Sequence, residues 1–120
     1  MKIAFTAAAG DIQAPLDSRF GRAPMFVVYD LEDGTFQVAD NQKNLDAAQG
    51  AGISSAEVVA RTGAKALVTG HCGPKAFRVL AAAGIKVFST DAPTVAEALE
   101  RYRAGVLTEI ESANVEGHWA

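Results

Sequence analysis

The chain has 120 residues, 49% of them apolar and only 8% aromatic, enough for one compact domain with a substantial core. A net charge of −3 supplies no global field to draw nucleic acid or a membrane surface, so neither is an expected partner. One cysteine excludes an internal disulfide and an all-cysteine metal cage, and no apolar run approaches the roughly 18 residues of a membrane span.

Lys2 to Ala7 reads as a buried first strand. The sequence runs into it directly, which gives the expectation of a cytoplasmic chain without a targeting leader. A long loop follows, residues 8–24, broken by Gly10, Pro15, Gly21 and Pro24. Met25 to Asp30 and Thr35 to Ala39 form a hairpin around Glu32-Asp33-Gly34. Residues 40–52 make a second loop. Ile53 to Thr62 carries apolar residues on one helical face and stops at Gly63. Lys65 to Thr69 is a fourth strand. Pro74 to Ala83 is a helix with proline in its first turn and Gly84 at its end. Ile85 to Ser89 is a fifth strand, and Thr94 to Ala104 a third helix capped by Asp91 or Thr94. The polar tail, residues 105–120, is expected to be partly mobile.

This order predicts one α/β domain over residues 1–120. The hairpin makes strand 2 antiparallel to strands 1 and 3, while right-handed helical crossovers make strands 4 and 5 parallel to strand 1. Four loops then meet at the carboxyl ends of the parallel strands: 8–24, 40–52, 70–74 and 89–93. Ligand crevices of open α/β sheets lie at that end.

Those loops hold the chemistry. Gly70-His71-Cys72-Gly73 stands between a strand and a helix, where N–H groups at the positive helix end attract an anion. Arg19-Phe20-Gly21-Arg22 offers two guanidiniums around an apolar wall, or else a solvated turn. Lys43, Asn44, Gly50 and Gly52 precede a helix and form a second wall, or else a plain helix entry. His71 and Cys72 together are too few for a closed zinc site, although a soft thiolate suits Cu(I); a small buried cysteine is the simpler reading. His71-Cys72 followed by Arg78 also fits the spacing of a cysteine-dependent phosphatase. Against that, Pro74 removes one cradle N–H and the mid-loop glycine is missing. Asp11, Asp17 and Asp46 lie on the same rim without the pairing of a two-metal hydrolase. Glu97, Glu100, Arg101 and Arg103 read as a solvated helix face, and His118-Trp119 has no evident partner.

Three segments carry a resemblance: Phe20-Gly21-Arg22-Ala23-Pro24-x-Phe26; Gly50-Ala51-Gly52-Ile53-x-x-Ala56-Glu57; and Thr69-Gly70-x-x-Gly73-Pro74-x-Ala76-Phe77-x-x-Leu80-x-x-Ala83-Gly84-Ile85. In order and spacing the chain resembles the dinitrogenase iron–molybdenum cofactor biosynthesis family across nearly its whole length. The resemblance implies a ribonuclease-H-like mixed five-stranded sheet of order 3-2-1-4-5, with helices on both faces. It also implies a sulfide-rich cluster at the loop end. Members with the cofactor often carry His just before Phe-Gly; Arg19 stands there here, which favours charge pairing over a metal bond. The expected function is non-covalent carriage of a molybdenum–copper–sulfide cluster by a non-enzymatic monomer. Alternatives are a carrier of an iron–molybdenum–sulfur precursor and the phosphatase built on Cys72 and Arg78. The expected cluster-binding residues are Arg19, Phe20, Gly21, Arg22, Asn44, Gly50, Gly52, Gly70, His71, Cys72 and Gly73, with no direct metal ligand.

Overall fold

The computed structural model describes residues 1–45 and 51–111. Six strands form one mixed sheet, in the order β3-β2-β1-β4-β5-β6. They are β1 (Lys2–Ala7), β2 (Met25–Asp30), β3 (Phe36–Asp40), β4 (Ala66–Thr69), β5 (Lys86–Ser89) and β6 (Thr108–Ile110). The helices are α1 (Gln42–Leu45), α2 (Ala51–Arg61), α3 (Pro74–Ala82) and α4 (Val95–Arg103), and one 3₁₀ turn spans Phe20–Arg22.

The expected order and directions hold. β2 is antiparallel to β1 and β3, and β4 is parallel to both β1 and β5. The addition is β6, which pairs antiparallel to β5, with Ser89 opposite Thr108 and Val87 opposite Ile110. Its three residues, Thr-Glu-Ile, are too short to show an alternating pattern, and Ile110 alone packs against the core. Part of the expected tail is therefore sheet, while His118 and Trp119 lie outside the described residues.

β1 and β4 are buried on both faces, which is why they read as continuous apolar runs. On one face, Ala56 and Val59 of α2 and Leu80 of α3 cover Ala4, Val28, Leu67 and Val87. On the other, Val95, Ala98 and Leu99 of α4 cover Ile3, Phe5, Val27 and Val68. Each large side chain buried this way contributes about 1.5–3 kcal/mol. The edge strand β3 leaves Phe36 and Val38 exposed.

Helix ends follow local chemistry. α2 begins two residues before the expected Ile53 and stops before Gly63, whose φ of +83° suits only glycine well. α3 starts with Pro74 after Gly73 as N-cap. Thr94, not Asp91, caps α4: its Oγ1 accepts from the Glu97 N–H at 3.1 Å. Inside the second loop, Asp40 Oδ1 accepts from the Gln42 N–H at 2.8 Å and starts the short α1.

Candidate functional site

The loop after β1 is strapped across the carboxyl end of the sheet. Thr6 Oγ1 donates to Asp17 O at 2.6 Å and shares a hydrogen bond with Thr69 Oγ1 at 3.1 Å. The Asp17 N–H returns to Thr6 O at 2.9 Å. His71 N–H donates to Ser18 O at 2.7 Å, Phe20 N–H donates to His71 O at 3.1 Å, and Arg19 and His71 form a parallel bridge. Gly70 makes this crossing possible. A Cβ there would stand 2.6 Å from Ser18 O and 2.8 Å from Ser18 Cα, so its glycine is required for room rather than for torsion. The strap fixes Arg19 beside His71, and both side chains are exposed.

A buried amide joins the strap to the second loop. Asn41 is 1% exposed. Its Nδ2 donates to Ala23 O and to Ser55 Oγ, both at 2.9 Å, and its Oδ1 accepts from Asn44 Nδ2 at 2.7 Å. The Asn41 N–H donates to Pro24 O at 2.9 Å. The end of the arginine turn, α1 and α2 therefore share one junction. Sequence reading missed Asn41, although an asparagine directly after a strand is a recognisable turn signal. Nearby, a Cβ on Gly21 would lie 3.3 Å from Gly52 Cα and N, so the 3₁₀ turn sits directly on the first turn of α2. That turn carries no acidic residue, and neither does the first turn of α3.

Two expected contacts point elsewhere. Phe20, read as a wall of the site, is 2% exposed and packs on Phe26 with ring centroids 5.5 Å apart. The 3₁₀ turn rolls the ring into the core, where its full apolar area leaves water. Cys72 is likewise in the core, its thiol directed to Gly73 O at 3.7 Å. Burial pushes its pKa from 9.0 up to about 12. A phosphatase nucleophile must be an accessible thiolate at neutral pH, and this thiol is neither. Arg78 is exposed on α3.

On the other side of the strap lies a groove of about 570 Å³. It is lined by Ser18, Gly70 and His71 at the strap crossing, by Ser89, Thr90 and Asp91 after β5, by Arg101 of α4, and by Val106, Leu107 and Thr108 leading into β6. Ser89 Oγ donates to Gly70 O at 3.0 Å. The expected solvated face of α4 holds, with Glu97, Glu100 and Arg103 exposed, and on it Arg101 is paired: Nη1 donates to Asp91 Oδ1 at 2.7 Å and Thr90 Oγ1 at 3.4 Å, and Nε to Glu97 Oε1 at 3.4 Å. The hydrogen bond from Arg101 holds the Asp91 carboxyl below its usual 3.8.

The expected site residues thus divide. Gly70 and His71 border the groove, Gly21 and Gly52 touch, Asn44 joins them through Asn41, and Arg19 and Arg22 are exposed on the strap. Gly73 caps α3. Gly50 and Asp46 lie outside the described residues. Among the described residues no group of three or more His, Cys, Asp or Glu could hold a metal ion, and no helix is long and apolar enough to cross a membrane.

The chain is similar in sequence and fold to known proteins. Residues 1–105 match the sequence signature described as dinitrogenase iron-molybdenum cofactor. The apo form of the orange protein from Desulfovibrio gigas is similar at 40% identity and a TM-score of 0.92, over 95% of this chain and 96% of that one. A NifB-like protein of Thermotoga is similar at 31% identity and a TM-score of 0.85, over 97% and 98%. An uncharacterised protein of Methanocaldococcus jannaschii is 28% identical over 80% of this chain and 83% of its own length.

Proposed function

This chain belongs to the dinitrogenase iron–molybdenum cofactor family, and we propose that it carries a polyanionic molybdenum–copper–sulfide cluster without covalent bonds and without turnover. The observation that carries this reading is the strap: it sets the exposed Arg19 beside His71 while the chain's one thiol is buried and protonated. The donor set offered to solvent is guanidinium, imidazole and backbone N–H, which suits a sulfide-rich anion and not a thiolate-bound metal.

Arg19 and Arg22 balance the charge of the cargo. Gly21, Gly52 and Gly70 let the rim's own loops close on one another, Gly73 caps α3, and the first turns of α2 and α3 turn N–H groups toward the cargo. Asn44 belongs to the same rim, Gly50 falls outside the described residues, and Cys72 takes part through its backbone alone. The 40% identity to the orange protein, which is described in an apo form, supports a chain that takes up a cargo. A carrier of an iron–molybdenum–sulfur precursor is the second reading, favoured by the family's own description.

Apo-protein mixed with tetrathiomolybdate and Cu(I) will develop visible charge-transfer bands and keep both metals through desalting. Cys72→Ser will keep most of the binding. Arg19→Ala and Arg22→Ala will each weaken it roughly tenfold, about 1.4 kcal/mol, and added salt will weaken it further. Metals that wash off the wild-type protein, or a Cys72→Ser variant that alone loses them, would refute the non-covalent reading.

A further inference from the structure

β3 closes the sheet on one side, and among the described residues no strand pairs with its outer edge. Two bonds at its ends fix which backbone groups face that edge. The Asp30 N–H donates to Thr35 O and the Asn41 N–H to Pro24 O, both in the register that sets Val38 opposite Val27. Opposite residues of an antiparallel ladder alternate between bonded and non-bonded pairs. Thr35, Gln37, Ala39 and Asn41 therefore turn their backbone groups toward β2, while Phe36, Val38 and Asp40 turn theirs outward. Those same residues share one face of the strand, where Phe36 is 42% and Val38 45% exposed. The strand has none of the usual guards of an edge: no lysine, no proline and no bulge in its register.

We infer that this edge pairs antiparallel with the same edge of a second copy, about a two-fold axis through Val38. Self-complementarity selects a second copy over a foreign strand. About that axis Val38 meets the partner's Val38, and Phe36 meets the partner's Asp40. Each outward N–H then finds an outward C=O, because these positions have the same parity. Asp40 is the strand's one charged residue, so no like charges stand opposite one another. Asp33 and Lys43 lie equally far before and after Val38 and are both exposed, so opposite charges converge at each end of the paired strands.

The contact is small. A strand of five residues a side falls short of the roughly 1,200 Å² at the lower end of standard interfaces, so the dimer is weak and reversible. The monomer expected from the sequence is its dilute form. Asp40 and Ala7 both lie opposite Met25, so β3 ends where the strap crosses the sheet. Antiparallel pairing therefore turns the two rims to opposite ends of one continuous sheet, and neither blocks the other.

Hydrogen exchange and sedimentation velocity on the metal-free full chain, each at micromolar and millimolar concentration, test the pairing. The Phe36, Val38 and Asp40 amides should exchange fast when dilute and about threefold or more slowly when concentrated, while Gln37 and Ala39 stay protected at both. Val38→Lys sets two ammonium groups against each other and should weaken the dimer about tenfold, and Val38→Glu should do the same with two carboxylates. An equimolar mixture of the two variants should pair again, because position 38 faces itself only about this axis. Sedimentation independent of concentration, alternate amides that respond alike, or a mixture no better paired than either variant would overturn the inference. No metal or cluster is present, so this pairing and the cargo reading can fail separately.

Discussion

On one side of His71 the rim is held by buried hydrogen bonds and by backbone pressed onto glycine; on the other it is held by exposed ion pairs around Arg101. The strap side has no freedom to adjust. Thr6, Thr69 and Asn41 are fully buried, and each would be left with an unmet polar group if its partner moved. The groove side can rearrange at little cost, because Asp91 is 97% exposed and its pair with Arg101 is screened. The rim therefore has one fixed edge and one adjustable edge.

The comparison breaks most directly at Gly70. Gly70→Ala must push Ser18 away from β4, and overpacking of this kind costs about 3 kcal/mol. Urea denaturation measures that loss, and amide shifts of Ser18 to Phe20 report the displaced strap. A stability within error of wild type would mean the strap is not tight.

Cys72 sharpens the same point through pH. Its thiol is ionisable in the unfolded chain near 9.0 and in the folded protein only near 12. Between those values the unfolded chain has lost a proton that the native state keeps, so stability falls as pH rises. The fall approaches roughly 2.5 kcal/mol by pH 11, at about 1.36 kcal/mol per unit. Denaturation of wild type and Cys72→Ala at pH 8 and pH 11 isolates it: the alanine variant should lack this part of the alkaline loss. Equal slopes would show that the thiol is not in the core.

The smallest effect belongs to the groove. Asp91→Asn should leave the denaturation midpoint unchanged within error, since the carboxylate is exposed and the cap of α4 is Thr94. A large loss there would erase the contrast between the two sides.

Periodicity and punctuation made most of the fold readable. Apolar runs bounded by glycines and prolines placed five strands and three helices, and crossover handedness fixed their directions. β6 escaped because three residues carry no period, and α1 because it is a single turn started by Asp40. At the site, glycine positions and arginines were legible as types, but not the directions of neighbouring side chains. Phe20 and Cys72 sit next to exposed residues and yet turn inward, which depends on local backbone geometry. Asn41 and Arg101 act through partners distant in sequence: Asn41 reaches Ala23 and Ser55, and Arg101 reaches back to Asp91. Their roles became visible only once the loops were placed together.

The pairing of β1 with β4 also bears on the order of assembly. The β2–β3 hairpin closes a short loop, whereas Thr6 meets Thr69 across 63 residues of chain. Closing so long a loop is entropically costly and slows folding. The crossing of Ser18 over Gly70 needs both strands side by side, so it belongs to the last contacts formed. A nascent or half-folded chain then holds its arginines as loose charges without a shared geometry, and the proposed binding edge exists only on finished molecules.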